Sequence, residues 1–170
     1  MDANSESQFE SWYERSYSRI AGAVAMMFGS PDLGEEAASE AFARAYSRWG
    51  QVRHMGSPEA WTHRVAVNVA KRRLRRASLE RRLLQKNRPV DDTMPPPHPP
   101  SEVWEAVDGL PDRMRQAIVL RYVGDLSQAD IAAVMGVAPG TVAAHLHAGR
   151  ERLGAMLGVP LGSREEQSRG

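Results

Sequence analysis

Apolar residues recur at helical spacing through the first half of the chain. Phe9, Trp12 with Tyr13, Tyr17, Ile20, Val24 and Met27 with Phe28 fall on one face of a predicted helix. Gly29-Ser30-Pro31 stops it, and Ser30 can cap a second helix with Pro31 at its first position. That helix runs to about Trp49 with Leu33, Ala38, Ala41, Phe42, Ala45 and Trp49 as its stripe. A polar loop holding Gly50 and Gly56 follows, and Ser57-Pro58 opens a third helix that enters a run of arginines. Three helices sharing one apolar interior predict a small bundle.

From about residue 77 to 100 the periodicity is lost, and the stretch ends in Met94-Pro95-Pro96-Pro97-His98-Pro99-Pro100. Consecutive prolines cannot continue a helix and favour extended geometry, so this reads as a semi-rigid linker. Ser101 can cap a helix carrying Val103, Trp104 and Val107. A second helix follows Gly109-Leu110-Pro111 with Met114, Ala117, Ile118 and Tyr122. Ser127-Gln128-Ala129-Asp130 resembles a capping box, with Leu126 and Ile131 placed to staple it. That short helix ends at Gly136, and Pro139 opens another running to about Leu157. The expectation is an all-α protein of two small helical domains: 1–76, a basic then Pro-rich linker over 77–100, a second domain over 101–158, and a disordered tail over 159–170.

Composition narrows the function. The 170 residues include no cysteine, which excludes disulfides, thiolate zinc sites and cysteine nucleophiles. No stretch reaches the ~20 apolar residues of a membrane span, and the polar start, Met1 to Gln8, is no secretory signal. A cytoplasmic protein with no membrane insertion is expected. Net charge is only +1, yet it is segregated. Acids outnumber bases before residue 60, whereas Arg64, Lys71, Arg72, Arg73, Arg75, Arg76, Arg81, Arg82, Lys86 and Arg88 are opposed in their stretch only by Glu80. Such asymmetry points to nucleic acid.

Three patterns carry chemistry. Around Gly136, Ile131 and Val134 must pack on Val142, Leu146, Gly149 and Leu153, which lie on one face of the last helix. This is the helix-turn-helix arrangement, whose second helix enters the major groove. On the third helix, Arg64, Asn68, Lys71 and Arg75 form a second stripe, with Trp61 beside it. Cations hold phosphates there, an amide reads a base edge, and an indole stacks on an unpaired base. On the second helix Asp32, Glu36 and Glu40 recur every fourth residue; a basic partner surface would reward that arrangement. Catalysis has little support. The stretch Gly136 to Thr141 lacks the P-loop spacing and lysine, and His145 and His147 diverge on a helix, so no enzyme, cofactor or metal is expected.

The ordered blocks resemble the extracytoplasmic-function (ECF) sigma factors of the sigma-70 family. Glu36-Ala37-Ala38-Ser39-Glu40-Ala41-Phe42-Ala43-Arg44-Ala45-Tyr46 is similar to that family's regions 2.1–2.2, and Trp61 to Lys71 to its regions 2.3–2.4. The stretch from Leu110-Pro111 through Leu126-Ser127-Gln128-Ala129-Asp130-Ile131-Ala132 to Gly140-Thr141-Val142 is similar to its region 4. The resemblance implies a transcription initiation factor that binds core RNA polymerase, through the largest subunit's clamp helices and the flap region, and promoter DNA. It leaves open an anti-sigma partner. It implies polymerase contacts at Asp32, Glu36, Glu40 and Arg44. The −10 element would be held by Trp61, Arg64, Asn68, Lys71, Arg72 and Arg75, and by a loop of Gln51, Val52, Arg53, His54, Met55, Gly56 and Ser57. The −35 element would be read by Gly140, Thr141, Ala143, Ala144, His145, His147, Arg150 and Arg152. The chain departs from the family pattern at Ser39, Ala138, Ala143, Ala144, Ala148 and Glu151. The first bears on the polymerase contact, and those in the second half imply a −35 contact that is either weak or rests on thymine methyls plus His145 or His147. The competing reading is a LuxR-type helix-turn-helix regulator, suggested by Thr141-Val142-Ala143-Ala144-His145.

Overall fold

In a computed structural model, residues 3–84 and 101–159 are described, and every regular element among them is a helix. The Pro-rich part of the expected linker, 85–100, and the tail from 160 onward lie outside the described residues.

The first helix, α1 (Ala3–Phe28), begins six residues before the apolar pattern does. Its buried side chains include Phe9, Trp12, Ile20, Val24 and Met27. Ser30 caps α2 (Pro31–Ser47), its hydroxyl accepting from the Leu33 N–H at 3.2 Å. The chain then makes a single turn, α3 (Trp49–Val52), which buries Trp49 and Val52. Phe9, Trp12, Phe42 and Trp49 pack ring on ring, with Trp12 and Trp49 stacked at 4.9 Å. Ser57 caps α4 (Pro58–Leu83) through the Ala60 N–H at 3.1 Å, and Trp12 Nε1 donates to Glu59 at 2.9 Å, tying the start of α4 to α1.

Helix α4 continues to Leu83, past the point where apolar periodicity ends. The reason is propensity rather than packing. Arg, Leu, Ala and Glu are good helix formers, and Arg76 pairs with Glu80 one turn on at 3.0 Å. With water on nearly every side of this overhang, no stripe is needed.

The second unit comprises α5 (Glu102–Asp108), α6 (Asp112–Tyr122), α7 (Gln128–Met135) and α8 (Pro139–Leu157). Val103 and Tyr122, read from the sequence as apolar-face residues, are exposed; these helices bury Val107, Ala117 and Ile118 instead. The Ser127 hydroxyl accepts from the Asp130 N–H at 3.1 Å and donates to the Asp130 carboxylate at 2.8 Å, so the box closes through the hydroxyl. Leu126 and Ile131 are both buried beside it. Gly136, at φ +67°, ends α7 in the left-handed region, and α8 departs at 103°. Val142, Leu146, Gly149 and Leu153 form the buried face of α8. A Cβ at Gly149 would lie 2.9 Å from Ile118 Cγ1, so glycine is what lets α8 approach α6. The two units touch: α7 lies against α4, and α6 against α1.

Candidate nucleic-acid interface

Helix α4 sorts its side chains by direction. Thr62, Ala66 and Val69 are buried, as are His63, Val67 and Ala70, and about a third of the circumference is left to solvent. Arg64, Asn68, Arg72 and Arg75 occupy that outward side, and none of the three arginines has an acidic partner among the described residues. Trp61 is half-buried and packs against the core with its remaining edge free. Lys71 is also half-buried. Burial lowers its pKa, and the guanidiniums of Arg113 on α6 and Arg75 push the same way. Four cations, one amide and one indole edge therefore share a face, with no acid among them.

The segment before α4 divides into anchor and loop. Val52 is wholly buried and holds the loop down rather than belonging to its exposed surface. Arg53 Nη1 donates to Ser5 Oγ at 2.8 Å and to Gln8 Oε1 at 3.2 Å, while its Nε donates to His54 Nε2 at 3.1 Å. Arg53 is thus spent on tethering the loop to α1. Ser57 is the cap of α4. Gln51, His54, Met55 and Gly56 are the exposed members.

The acidic row on α2 faces outward, but it is not bare. Glu40 pairs with Arg44 on its own helix, and Arg73 of α4 reaches across to Glu36 at 2.6 Å and Glu40 at 3.8 Å. Asp32 stays exposed without an ion pair among the described residues. Arg73 belonged to the arginine run, and sequence reasoning did not connect it with the acids. Its register could have done so, since Arg73 shares the Ala66–Val69 side that packs towards α2. Tyr17 is the second missed residue. Its hydroxyl donates to Glu35 Oε2 at 2.7 Å and lies 2.9 Å from Ser39 Oγ; burial, aided by the Glu35 carboxylate, pushes the phenol up.

The outer face of α8 is different again. Gly140, Thr141, Ala144, His147 and Arg152 are exposed, and Ala143, His145 and Arg150 flank them half-buried. His147 Nε2 stands 3.5 Å from Glu151 Oε1, so the imidazole and an acid sit together there. Ala138 gives α8 no side-chain cap; Gln128 Nε2 instead donates to the Pro139 carbonyl at 3.0 Å, which steadies the turn from α7.

Residues 12–80 match the family model for sigma-70 region 2, and residues 101–153 that for sigma-70 region 4. Among curated relatives, the ECF RNA polymerase sigma factor SigM of Mycobacterium tuberculosis is 28% identical over 151 residues, covering 88% of this chain and 77% of its own. The ECF sigma factor SigW of Bacillus subtilis is 28% identical over 143 residues, covering 75% and 76%. Among solved structures, the sigma factor RpoE from Bartonella quintana, determined with its anti-sigma factor NepR, superposes with a TM-score of 0.72 at 19% identity over 89% of this chain and 98% of that one, a likeness of fold. Two sigma regions in order, each on its own helical unit, leave no place for the LuxR-type alternative. The chain belongs to the ECF sigma factors of the sigma-70 family, non-enzymatic proteins that initiate transcription.

Proposed function

We propose that this chain joins core RNA polymerase in the cytoplasm and directs it to promoters, with each of its three charged faces meeting a different partner. The functional division is 1–76 for polymerase and −10 reading, 77–100 as the connection through the enzyme, 101–158 for the −35 element, and 159–170 as a tail. The outward face of α2, with Asp32, Glu36, Glu40 and Arg44, meets the basic clamp helices of the largest subunit. The outward face of α4 takes the separated −10 strand. Arg64, Lys71, Arg72 and Arg75 hold phosphates, Asn68 reads a base edge, and the Trp61 edge with the exposed loop residues Gln51, His54, Met55 and Gly56 receives an unpaired base. Helix α8 lies in the −35 major groove, with Gly140, Thr141, Ala144, His147 and Arg152 towards the DNA and the second unit near the polymerase flap. An anti-sigma factor accompanies the Bartonella quintana relative, and one would cover these same faces here.

The observation that carries the reading is the α4 face: three exposed arginines, a half-buried lysine and an amide on one side, without an acid among the described residues. Surface cations usually find acids nearby; a face that does not is arranged for an external polyanion. Co-purification with core polymerase followed by run-off transcription tests this. Promoter-dependent transcripts from the reconstituted enzyme are expected. Polymerase binding with no promoter-dependent transcript would overturn it.

A further inference from the structure

His63 is wholly buried in the second turn of α4, and neither ring nitrogen has a hydrogen-bond partner among the described residues. What closes over it comes from the other unit. The turn between α6 and α7 brings Gly124 so near that a Cβ there would stand 3.2 Å from His63 Nε2 and 3.3 Å from Cε1. On the α1 side, Arg19 has a buried Nε that is also without a partner. The seam between the two units therefore encloses polar nitrogens from α1 and α4 and satisfies none of them. Opening it gives all of them water.

We propose that the contact of the Gly124 turn on His63 is an acid-labile latch, holding the two units together while the ring is neutral and releasing them when it takes up a proton. Burial and a neighbouring cation oppose a charged ring. Burial is the main cause and the Arg19 guanidinium adds to it, and together they push the ring down to about 4 from its ordinary 6.5. On α6, Arg113 stands beside Lys71, and Arg121 donates to the Leu126 carbonyl at 3.1 Å; both are cationic. The acids of the neighbouring elements do not compensate. Asp125 in the turn points to solvent, and Asp130 on α7 is bonded to Ser127. On α4 itself Arg64 and Lys71 are positive, and the acid one turn back, Glu59, is engaged by Trp12 Nε1 at 2.9 Å.

The sign follows from linkage. A base whose proton affinity is depressed in the closed form stabilises that form fully above its ordinary value, and loses this as pH falls towards the depressed one. Between pH 7.5 and 5.5 the closed-to-open ratio should fall about tenfold. The consequence, which rests on the promoter-reading assignment, is that opening uncovers Lys71, half-buried at the seam beside Arg113.

The chain has no cysteine of its own, so Ala43→Cys on α2 and Ala155→Cys on α8, both exposed, place one label on each unit of the full-length protein. Distances between the labels, read by double electron–electron resonance at pH 7.5 and 5.5, should gain a long-distance population at the lower pH, with helical circular dichroism unchanged. His63→Phe and His63→Gln cannot take up the proton and should give the same distribution at both pH values, whatever population each starts from. A wild-type distribution that does not change, or the same change in both His63 variants, would overturn the latch. Neither result depends on polymerase or promoter binding, so failure here is distinct from failure of the promoter assignment.

Discussion

The outer faces of α4 and α8, both proposed to meet promoter DNA, are built by opposite means. The α4 face carries Arg64, Lys71, Arg72 and Arg75 around Asn68 and has no acid. The α8 face offers Gly140, Thr141, Ala144 and His147, with Arg152 as its exposed cation and Glu151 beside His147. Phosphate neutralisation supplies most of the affinity for nucleic acid, and base-edge contacts supply selectivity. On the proposed assignment, the difference implies that strand binding at α4 would carry the affinity. At α8, methyl groups and one imidazole would then select weakly, and a weak module is useful where polymerase supplies a high local concentration.

If the tether matters most, breaking it has the largest effect. Glu36→Lys with Glu40→Lys should weaken binding to core polymerase by ~2–5 kcal/mol, because the reversed charges would be desolvated against a basic surface. Arg73 sharpens this test. It already shields both acids within the free protein, so Arg73→Gln alone should change affinity far less than the double reversal, as a titration of labelled protein with core enzyme would read.

Next comes the scaffold beneath α8. Gly149→Ala places a methyl 2.9 Å from Ile118 Cγ1, and prying α8 from α6 should cost about 1–3 kcal/mol. A thermal melt should show a lower Tm, while α2 and α4 keep their binding to polymerase. An unchanged melt would mean that α6 and α8 are less closely apposed.

Asn68→Ala comes third. It should leave polymerase binding intact and remove ~1–3 kcal/mol of discrimination at one −10 position, read as transcription from promoters substituted base by base. Identical base profiles for wild type and variant would take Asn68 out of the site.

The patterns that proved legible in the sequence were local ones. Ser30, Ser57 and Ser127 each cap the helix that their positions announced, and the 4, 3, 4 spacing from Val142 to Leu153 named the buried face of α8 completely. What escaped depended on the third dimension or on a missing signal. Arg73 stands in a run of arginines and differs from its neighbours only in the direction it leaves α4, which decides that it meets Glu36 and not solvent. Val52 looked like a loop residue because a one-turn helix is too short to show a period. The last two turns of α4 have helix-forming residues and no buried stripe, so a reading based on periodicity ended the element early. The seam over His63 left no trace in the pattern, since a fully buried imidazole and a glycine in a turn have no common spacing.

The smallest expected effect is Ala143→Lys. One added cation beside the −35 backbone should raise affinity for all duplex sequences alike and steepen the salt dependence by about 0.9. Fluorescence anisotropy of the full-length chain on duplex DNA across a salt series reads it. A gain confined to one sequence would mean that position 143 faces a base rather than a phosphate.

The central claim, that affinity resides on α4 and not on α8, is tested most directly by the salt slope of holoenzyme binding to two DNAs. One is forked, with the −10 non-template strand unpaired, and the other is a duplex bearing only the −35 element. Replacing Arg64 and Arg75 together with alanine should flatten the slope on the forked DNA by about 1.4, at ~0.7 per single-strand phosphate, and leave the duplex slope unchanged. An unchanged slope on the forked DNA, or an equal loss on both, would contradict it.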